Sequence, residues 1–168
     1  MRSHFLSAIA VITILASCST PKKEETGAVT SAPPRATAPP KATVSSQGPA
    51  PDSIEYFNTV IGNAVHFDFD KYDIRAEDQV VLRGQAQWLN QHPARIVTVE
   101  GYCDERGTRE YNLGLGERRA NAVTRYLVSL GVNAGRLKTI SYGKERPICV
   151  TSEESCWFKN RRSASVVQ

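Results

Sequence analysis

The chain has 168 residues, of which 40% are hydrophobic and 23% are charged, a composition that fits one soluble globular domain with additional segments. Its 21 Lys and Arg side chains exceed its 17 Asp and Glu side chains by only four. No basic stripe interleaved with aromatic residues accompanies this mild excess, so the sequence argues against a nucleic-acid-binding protein.

The chain begins with a short apolar run, from Phe5 to about Leu15, that follows Arg2 and His4. Such a run is too short to span a bilayer but has the length of a secretory signal core. It ends in LASC, and small residues directly before a cysteine resemble the cleavage and lipidation site of bacterial lipoproteins. We therefore predict a signal peptide over residues 1–17 and a lipid on Cys18. The alternative is an ordinary secretory signal with a chance cysteine.

Residues 18–53 have a different composition, with seven of the nine prolines and almost no large apolar side chain. Such a segment cannot bury enough apolar surface to offset the entropy lost on ordering. We predict a disordered, extended, Pro-rich linker that follows the anchor. Residues 54–168 are predicted to form a single domain.

The predicted elements begin with EYFNTVIGNAVHFDFD, which favours two strands joined by a two-residue turn at Gly62-Asn63. In the second strand the alternation of Val65, Phe67 and Phe69 with polar residues predicts that these three face the core. Asp73 is a candidate cap for a helix from about Arg75 to Gln91. The apolar side of this helix is predicted to comprise Val81, Leu82, Ala86, Trp88 and Leu89.

Strands and helices then alternate. ARIVTVEGY predicts a strand, and the spacing of Ala120, Val123, Leu127 and Leu130 predicts a helix that Gly131 ends. RLKTISYG and RRSASVVQ predict two more strands, with a short helical turn over residues 153–159 before the last. This order predicts an α/β sandwich in which helices pack on one face of a mixed sheet.

The cysteines and histidines give no metal-binding pattern, because the chain has neither CxxC nor zinc-ligand spacing, and its three histidines lie far apart. We predict no metal and no cofactor. Export would place Cys103, Cys149 and Cys156 in an oxidising compartment. Cys149 and Cys156 are close in sequence in a predicted loop, so we expect these two to pair. Cys103 then remains as a buried or a reactive thiol.

The stretch GYCDERGTREYNLGLGERRANAV places an acidic and a basic residue fifteen positions apart, Asp104 at a predicted strand end and Arg119 early in the following helix. Ligands of α/β sheets commonly sit at this edge. A carboxylate binds an ammonium and a guanidinium binds a carboxylate, so the pair suits a zwitterionic ligand. The alternative is a structural salt bridge between the two residues.

Two other patterns suggest enzymes. Asp68 and Asp70, two apart on a predicted strand, would be about 6–7 Å apart and could form a catalytic pair of a hydrolase. Solvated carboxylates on strands are much commoner, so this is the weaker hypothesis. The glycines of NLGLGERR do not fit a dinucleotide-binding loop, because Arg119 stands at the third glycine position.

Four segments, VHFDFDKYDIR, VEGYCDERGTREYNLGLGERRANAV, ISYGKERP and KNRRSASV, resemble the peptidoglycan-associated lipoprotein family of Gram-negative bacteria. Its members carry an outer-membrane-protein-A-like (OmpA-like) domain that binds the cell wall. The resemblance covers residues 54–168 and extends to the lipoprotein signal and the linker.

The resemblance implies a non-enzymatic protein that binds the diaminopimelate of the peptidoglycan stem peptide. By position in the motifs, Asp104 and Arg119 would hold its amine and carboxylate. Phe69, Asp70, Asn112 and Leu115 would line the same pocket. Cys103 stands where many relatives have a small residue, and we expect it to be buried beside Asp104.

The resemblance also implies a tether, with a lipid on Cys18 in the outer membrane and the domain in the periplasm. It implies membership of the Tol–Pal system, with TolB as a partner, and a role in envelope integrity and cell division. The rival hypotheses are another wall-binding member of the same family and a peptidoglycan hydrolase that uses Asp68, Asp70 or Asp104.

Overall fold

The computed structural model of the chain describes residues 48–168; the predicted signal peptide, Cys18 and most of the predicted linker lie outside the described residues. Its helices are α1 (Ile54–Tyr56), α2 (Ala76–Gln91), α3 (Arg109–Ser129) and α4 (Glu154–Asn160). Its strands are β1 (Ala64–His66), β2 (Val97–Tyr102), β3 (Leu137–Gly143) and β4 (Arg162–Val167). A π-helical stretch, Phe57–Gly62, continues α1, and a 3-10 turn, Ala134–Arg136, precedes β3.

The four strands form one mixed sheet in the order β1-β4-β2-β3. The last strand, β4, lies between β1 and β2 and is antiparallel to both. β2 and β3 are parallel, and α3 makes the crossover between them. Side chains of α2 and α3 share one core cluster with those of the sheet, which confirms the predicted α/β sandwich.

The core lies between the sheet and these two helices. Val97 and Val99 alternate with less buried residues along β2, as expected for a strand with one face on the core. On α3, the predicted face of Ala120, Val123 and Leu127 is fully buried. The remaining members of the cluster are Phe57, Val65, Phe67, Leu82, Ala86, Trp88, Leu89, Val132 and Val167.

The predicted hairpin at Gly62-Asn63 is wrong, because residues 54–62 are helical. The Ser53 hydroxyl accepts a hydrogen bond from the Tyr56 amide at 3.0 Å and caps the first turn. Phe57 is fully buried, and its ring centroid lies 5.1 Å from that of Trp88. The aromatic and β-branched residues that suggest a strand are therefore held as a helix by burial against α2.

Three further expectations in this region are wrong. Arg75, not Asp73, occupies the N-cap position of α2. Val65 and Phe67 are buried as predicted, but Phe69 is 57% exposed, because β1 ends at His66 and the chain leaves the sheet. Asp70 adopts a φ of +57°, so the strand geometry assumed for a catalytic carboxylate pair does not exist.

Helix α3 begins at Arg109, with the Thr108 hydroxyl as its cap. Asn112, Leu115 and Arg119 consequently lie on one side of its first three turns, three and four residues apart. All three are buried. The expected position of Arg119 in the first turns of the helix is therefore corrected to the third turn.

The helix and the sheet approach each other closely at two glycines. A Cβ at Gly101 of β2 would lie 1.8 Å from the Gly116 carbonyl oxygen of α3. No Cβ fits at that distance, so only a residue without a side chain at position 101 permits this contact. The close approach fixes how far α3 lies from the end of β2, where the candidate site begins.

Candidate functional site

A cavity of about 150 Å³ lies at the carboxyl end of β2, beside the N-terminal part of α3. It brings together all six residues that the resemblance places in a pocket, namely Phe69, Asp70, Asp104, Asn112, Leu115 and Arg119. It is also lined by Cys103, Arg106, Gly107, Tyr111 and Arg161. The lining thus includes three guanidinium groups and two carboxylates.

Arg119 is fully buried, and its guanidinium connects three separate backbone segments. It donates from Nε to the carbonyl of Lys71 at 2.9 Å, from Nη1 to that of Tyr102 at 2.8 Å and from Nη2 to that of Asp68 at 3.1 Å. The guanidinium carbon lies 5.1 Å above the Phe67 ring. Within residues 48–168, no carboxylate lies within ion-pair distance of Arg119.

The charge of Arg119 is therefore buried without an anionic partner among the described residues. Burial lowers the pKa of its guanidinium. A guanidinium carries five N–H donors, and the three bonds to carbonyls leave two for a further acceptor. A buried, partly unsatisfied guanidinium that lines a cavity is suited to bind a carboxylate.

Asp104 is 4% exposed and lies between two other arginines. It accepts hydrogen bonds from the backbone amide of Arg106 at 3.1 Å and from its Nη2 at 2.6 Å. Nη1 of Arg161 approaches the same carboxylate at 3.4 Å. Burial raises the pKa of Asp104, but the hydrogen bonds from Arg106 and Arg161 outweigh it and hold the pKa below its usual value.

The structural alternative for Asp104 and Arg119 is wrong, since they line the same cavity but do not form a salt bridge with each other. Asp104 is paired with Arg106 and Arg161 instead. The two residues therefore remain separate charged groups at the cavity.

Asn112 and Cys103 shape the floor of the cavity. The Asn112 side-chain amide donates to the carbonyls of Arg106 at 2.7 Å and Thr108 at 3.0 Å, which fixes the loop between β2 and α3. The Cys103 thiol donates to the Asn112 carbonyl at 3.3 Å. Burial raises the pKa of this thiol to about 11, so it stays protonated at neutral pH. Cys103 is buried beside Asp104, as expected.

Phe69 and Asp70 form the exposed side of the cavity. The hydroxyl of Tyr111 donates to the Asp70 carboxylate, and this bond raises the pKa of the tyrosine. Among the described residues, no cationic side chain forms a salt bridge with Asp70. Asp70 is therefore the carboxylate of the cavity that is open to a ligand ammonium.

Arg106, Tyr111 and Arg161 line the cavity but were not predicted as site residues. Arg161 is almost fully buried and donates to the Phe67 carbonyl at 2.9 Å and to Glu154 at 2.5 Å. Its place at the cavity depends on how α4 docks, which has no local signature in the sequence. Arg106 stands two residues after Asp104, and this spacing, which permits a side-chain bond back to the carboxylate, is the signal that could have identified it.

Cys149 and Cys156 form a disulfide in the structure, with their Cα atoms 5.3 Å apart. The side chain of Asn160 bonds the backbone of the same loop, at the amides of Ile148 (2.9 Å) and Cys149 (3.2 Å) and the carbonyl of Cys149 (2.6 Å). The loop is thus attached to both ends of α4, the helix that carries Glu154 and precedes Arg161.

None of the helices within residues 48–168 is long and apolar enough to cross a membrane. No group of three or more His, Cys, Asp or Glu side chains in the same range could hold a metal ion.

The model of the OmpA family matches residues 66–161, which include every residue that lines the cavity. The chain belongs to the OmpA family. Among curated members, it is 54% identical over 117 residues to the peptidoglycan-associated lipoprotein of Mesorhizobium japonicum, covering 70% of each chain. It is 52% identical over 101 residues to that of Haemophilus influenzae, covering 60% of this chain and 66% of the relative.

Two solved structures are similar to this chain. The peptidoglycan-associated lipoprotein of Burkholderia pseudomallei superposes with a TM-score of 0.62 at 44% identity, over 63% of this chain and 90% of that one. The C-terminal domain of Helicobacter pylori MotB superposes with a TM-score of 0.58 at 22% identity, over 63% of this chain and 84% of that one. The second likeness concerns the fold alone.

Proposed function

We propose that this protein binds peptidoglycan without forming or breaking a bond, through the diaminopimelate of the stem peptide. In this proposal Arg119 binds the side-chain carboxylate, and Asp70 and Asp104 bind the amine. Asn112 shapes the cavity, and Phe69 and Leu115 provide apolar contact. A lipid on Cys18 anchors the chain in the outer membrane, so that the protein tethers this membrane to the wall.

The observation that carries the proposal is the buried charge of Arg119. A buried guanidinium without a carboxylate partner is costly, and a ligand carboxylate would supply the missing partner. Asp70 lines the same cavity with a carboxylate that has no cationic partner among the described residues. Opposite charges are therefore available for the two groups at the end of one ligand side chain.

The lining of the cavity restricts what it binds. It combines three guanidinium groups with two carboxylates. The end of a diaminopimelate side chain carries both an ammonium and a carboxylate, whereas the sugars of the glycan strand carry no ammonium. We infer that the domain recognises the peptide of the wall.

The test is binding of the chain from residue 19 onward to a stem peptide that ends in diaminopimelate, by calorimetry. A matched peptide with lysine in place of diaminopimelate lacks the distal carboxylate, which Arg119 would bind. We expect strong preference for the diaminopimelate peptide. Equal binding of the two peptides, or no binding, would contradict the site assignment.

Asp70→Asn provides the variant that leaves the fold intact. Asp70 is exposed, and asparagine tolerates a φ of +57° as well as aspartate does. Loss of its negative charge should weaken binding of the diaminopimelate peptide. Arg109→Gln is the matched control, because Arg109 is exposed, pairs with Glu145 and does not line the cavity.

The wider assembly follows from the family relationship. We propose that the protein works in the Tol–Pal system with TolB as its periplasmic partner, supporting envelope integrity and cell division. Curated relatives are named for their association with peptidoglycan and as lipoproteins. Mixing purified TolB with the chain tests the partner, and absence of detectable binding would reject it.

An enzymatic role is not proposed. The relatives are named for association with peptidoglycan rather than for an activity. Asp104 is paired with two guanidinium groups, and its lowered pKa suits a permanent anion rather than a general acid. Release of soluble muropeptides from purified sacculi would overturn this part of the proposal.

A further inference from the structure

We propose that Arg106 is an internal competitor for the ligand's ammonium at Asp104, so that a ligand ammonium must displace this guanidinium to reach the carboxylate. The inference rests on the proposed function, because it concerns the same cavity. It differs from the assignments above in giving a role to a side chain that must move when the ligand binds.

Arg106 occupies the place that a ligand ammonium would take. Its Nη2 lies 2.6 Å from Oδ2 of Asp104 and its Nε lies 3.3 Å from Oδ1, so one guanidinium covers both carboxylate oxygens. A cation from outside cannot form comparable contacts with Asp104 while Arg106 remains in place.

The guanidinium of Arg106 is held at the rim of the cavity by two aromatic rings. It lies 4.0 Å from the ring centroid of Phe69 and 4.2 Å from that of Trp157. The indole N–H of Trp157 donates to Glu105 at 2.9 Å, which fixes the ring. The position of Arg106 against Asp104 is thus held by side chains of three different segments.

Arg106 and Arg161 differ in how easily they can leave Asp104. The Arg161 side chain is only 4% exposed and is also bonded to Phe67 and Glu154. The Arg106 side chain is 30% exposed and lies in the loop between β2 and α3. A ligand cation would therefore displace Arg106, while Arg161 remains and prevents Asp104 from becoming an unpaired buried charge.

This arrangement lowers the affinity for ligands that carry the amine and leaves the affinity for ligands without it unchanged. A ligand with both an amine and a carboxylate exchanges its ammonium for the guanidinium of Arg106 and binds Arg119 with its carboxylate. A ligand without the amine leaves Arg106 in place and gains only the contact with Arg119. The free energy that the amine gains at Asp104 must therefore exceed that of the Arg106 contacts that it replaces.

The experiment compares Arg106→Gln with the control Arg109→Gln, which removes the same charge from an exposed arginine outside the cavity. The probes are the diaminopimelate peptide and a matched peptide in which hydrogen replaces the distal amine. We expect Arg106→Gln to bind the diaminopimelate peptide about two- to fivefold more tightly than the control, as for loss of one partly exposed charge pair. Its affinity for the amine-free peptide should stay unchanged or fall.

The contact of Arg106 with two aromatic rings allows NMR to report its displacement directly. The side-chain protons of Arg106 should show ring-current shifts in the free protein, and addition of the diaminopimelate peptide should move them towards ordinary values. The Trp157 indole signal should change in the same titration. The amine-free peptide should produce neither change.

The outcomes separate the two proposals. If the diaminopimelate peptide does not bind the wild-type chain, the proposed function fails. If it binds and Asp70→Asn weakens binding, but Arg106→Gln binds it no more tightly than Arg109→Gln, the competitor inference fails alone. Unchanged Arg106 signals at saturation would also overturn the inference.

Discussion

A buried arginine is the residue on which the site depends most. Arg119 connects the carbonyls of Asp68, Lys71 and Tyr102, so it holds the segment after β1 against the end of β2. The same side chain has no anionic partner among the described residues. Its structural role and its proposed ligand-binding role are thus combined in one guanidinium.

We predict that Arg119→Leu lowers the free energy of unfolding by about 2–4 kcal/mol, because one buried and two partly buried backbone carbonyls lose their donor. Urea unfolding measures this change. Arg119→Lys keeps a cation but cannot reach three carbonyls, so it should also be destabilised and bind the diaminopimelate peptide weakly. A leucine variant of wild-type stability would show that the carbonyls find other donors.

The lowered pKa of Asp104 predicts how the stability of the protein changes at acidic pH. Its pKa in the folded protein is lowered, so its contribution to stability is complete above the unfolded pKa of about 3.9 and is lost as the pH falls through the folded value. Asp104→Asn should be less stable than wild type at pH 7, with the difference shrinking below about pH 4. Parallel pH profiles of the two proteins, from urea unfolding at each pH, would contradict this.

At the scale of single residues, the sequence identifies charges but not their partners. The motif positions indicate Asp104 and Arg119, and both line one cavity with the other four predicted residues. The ion-pair partners of Asp104 depend on the tertiary packing of α4 and of the Arg106 side chain. Arg161 reaches Asp104 from a position 57 residues further along the chain, which no local pattern encodes.

The elements of the fold depend on one close contact between β2 and α3. We predict that Gly101→Ala is destabilised by more than about 3 kcal/mol, since the new methyl would overlap the Gly116 carbonyl backbone. Gly114→Ala on the same helix is the control, because its Cβ would meet only the end of Arg118 at 3.5 Å. Helix propensity makes this control more stable by about 1 kcal/mol or less. Thermal unfolding of the two variants checks that Gly101→Ala lowers stability and that Gly114→Ala raises it.

The disulfide also stabilises a single element of the fold, because it attaches a loop to α4. We predict that the paired Cys149→Ser and Cys156→Ser variant loses about 2–3 kcal/mol of stability, the range for a short closed loop. Hydrogen exchange should increase first in α4 and less in α3. Equal exchange of α4 with and without dithiothreitol in the wild-type protein would contradict the prediction.

The sequence predicts well those elements whose apolar spacing is long and regular. Helix α2, helix α3 and strands β2, β3 and β4 all occur where the pattern places them. The pattern fails between residues 54 and 62, where β-branched and aromatic residues form a helix. There the decisive factor is the burial of Phe57 against Trp88, a contact between residues 31 positions apart.

For the whole molecule, the tether proposal predicts that membrane association and peptidoglycan binding can be lost independently of each other. Cys18→Ser should move the protein from the membrane fraction to the soluble fraction, while binding to purified sacculi stays unchanged. Asp70→Asn should do the reverse, keeping the membrane association and weakening the binding to sacculi. Retention of the Cys18→Ser protein in membranes would reject the lipid anchor.

The entry of the chain into the domain has a mechanical consequence. The Pro51 carbonyl accepts the indole N–H of Trp88 at 2.8 Å, and α1 follows directly. A tether under tension applies its load at this hydrogen bond, then to α1, then to the three residue pairs that join β1 to β4. Arg119 holds the next segment, at Asp68 and Lys71, from inside the domain. Tension on the chain would therefore reach the N-terminal helix before it reaches the segment that Arg119 holds beside the cavity.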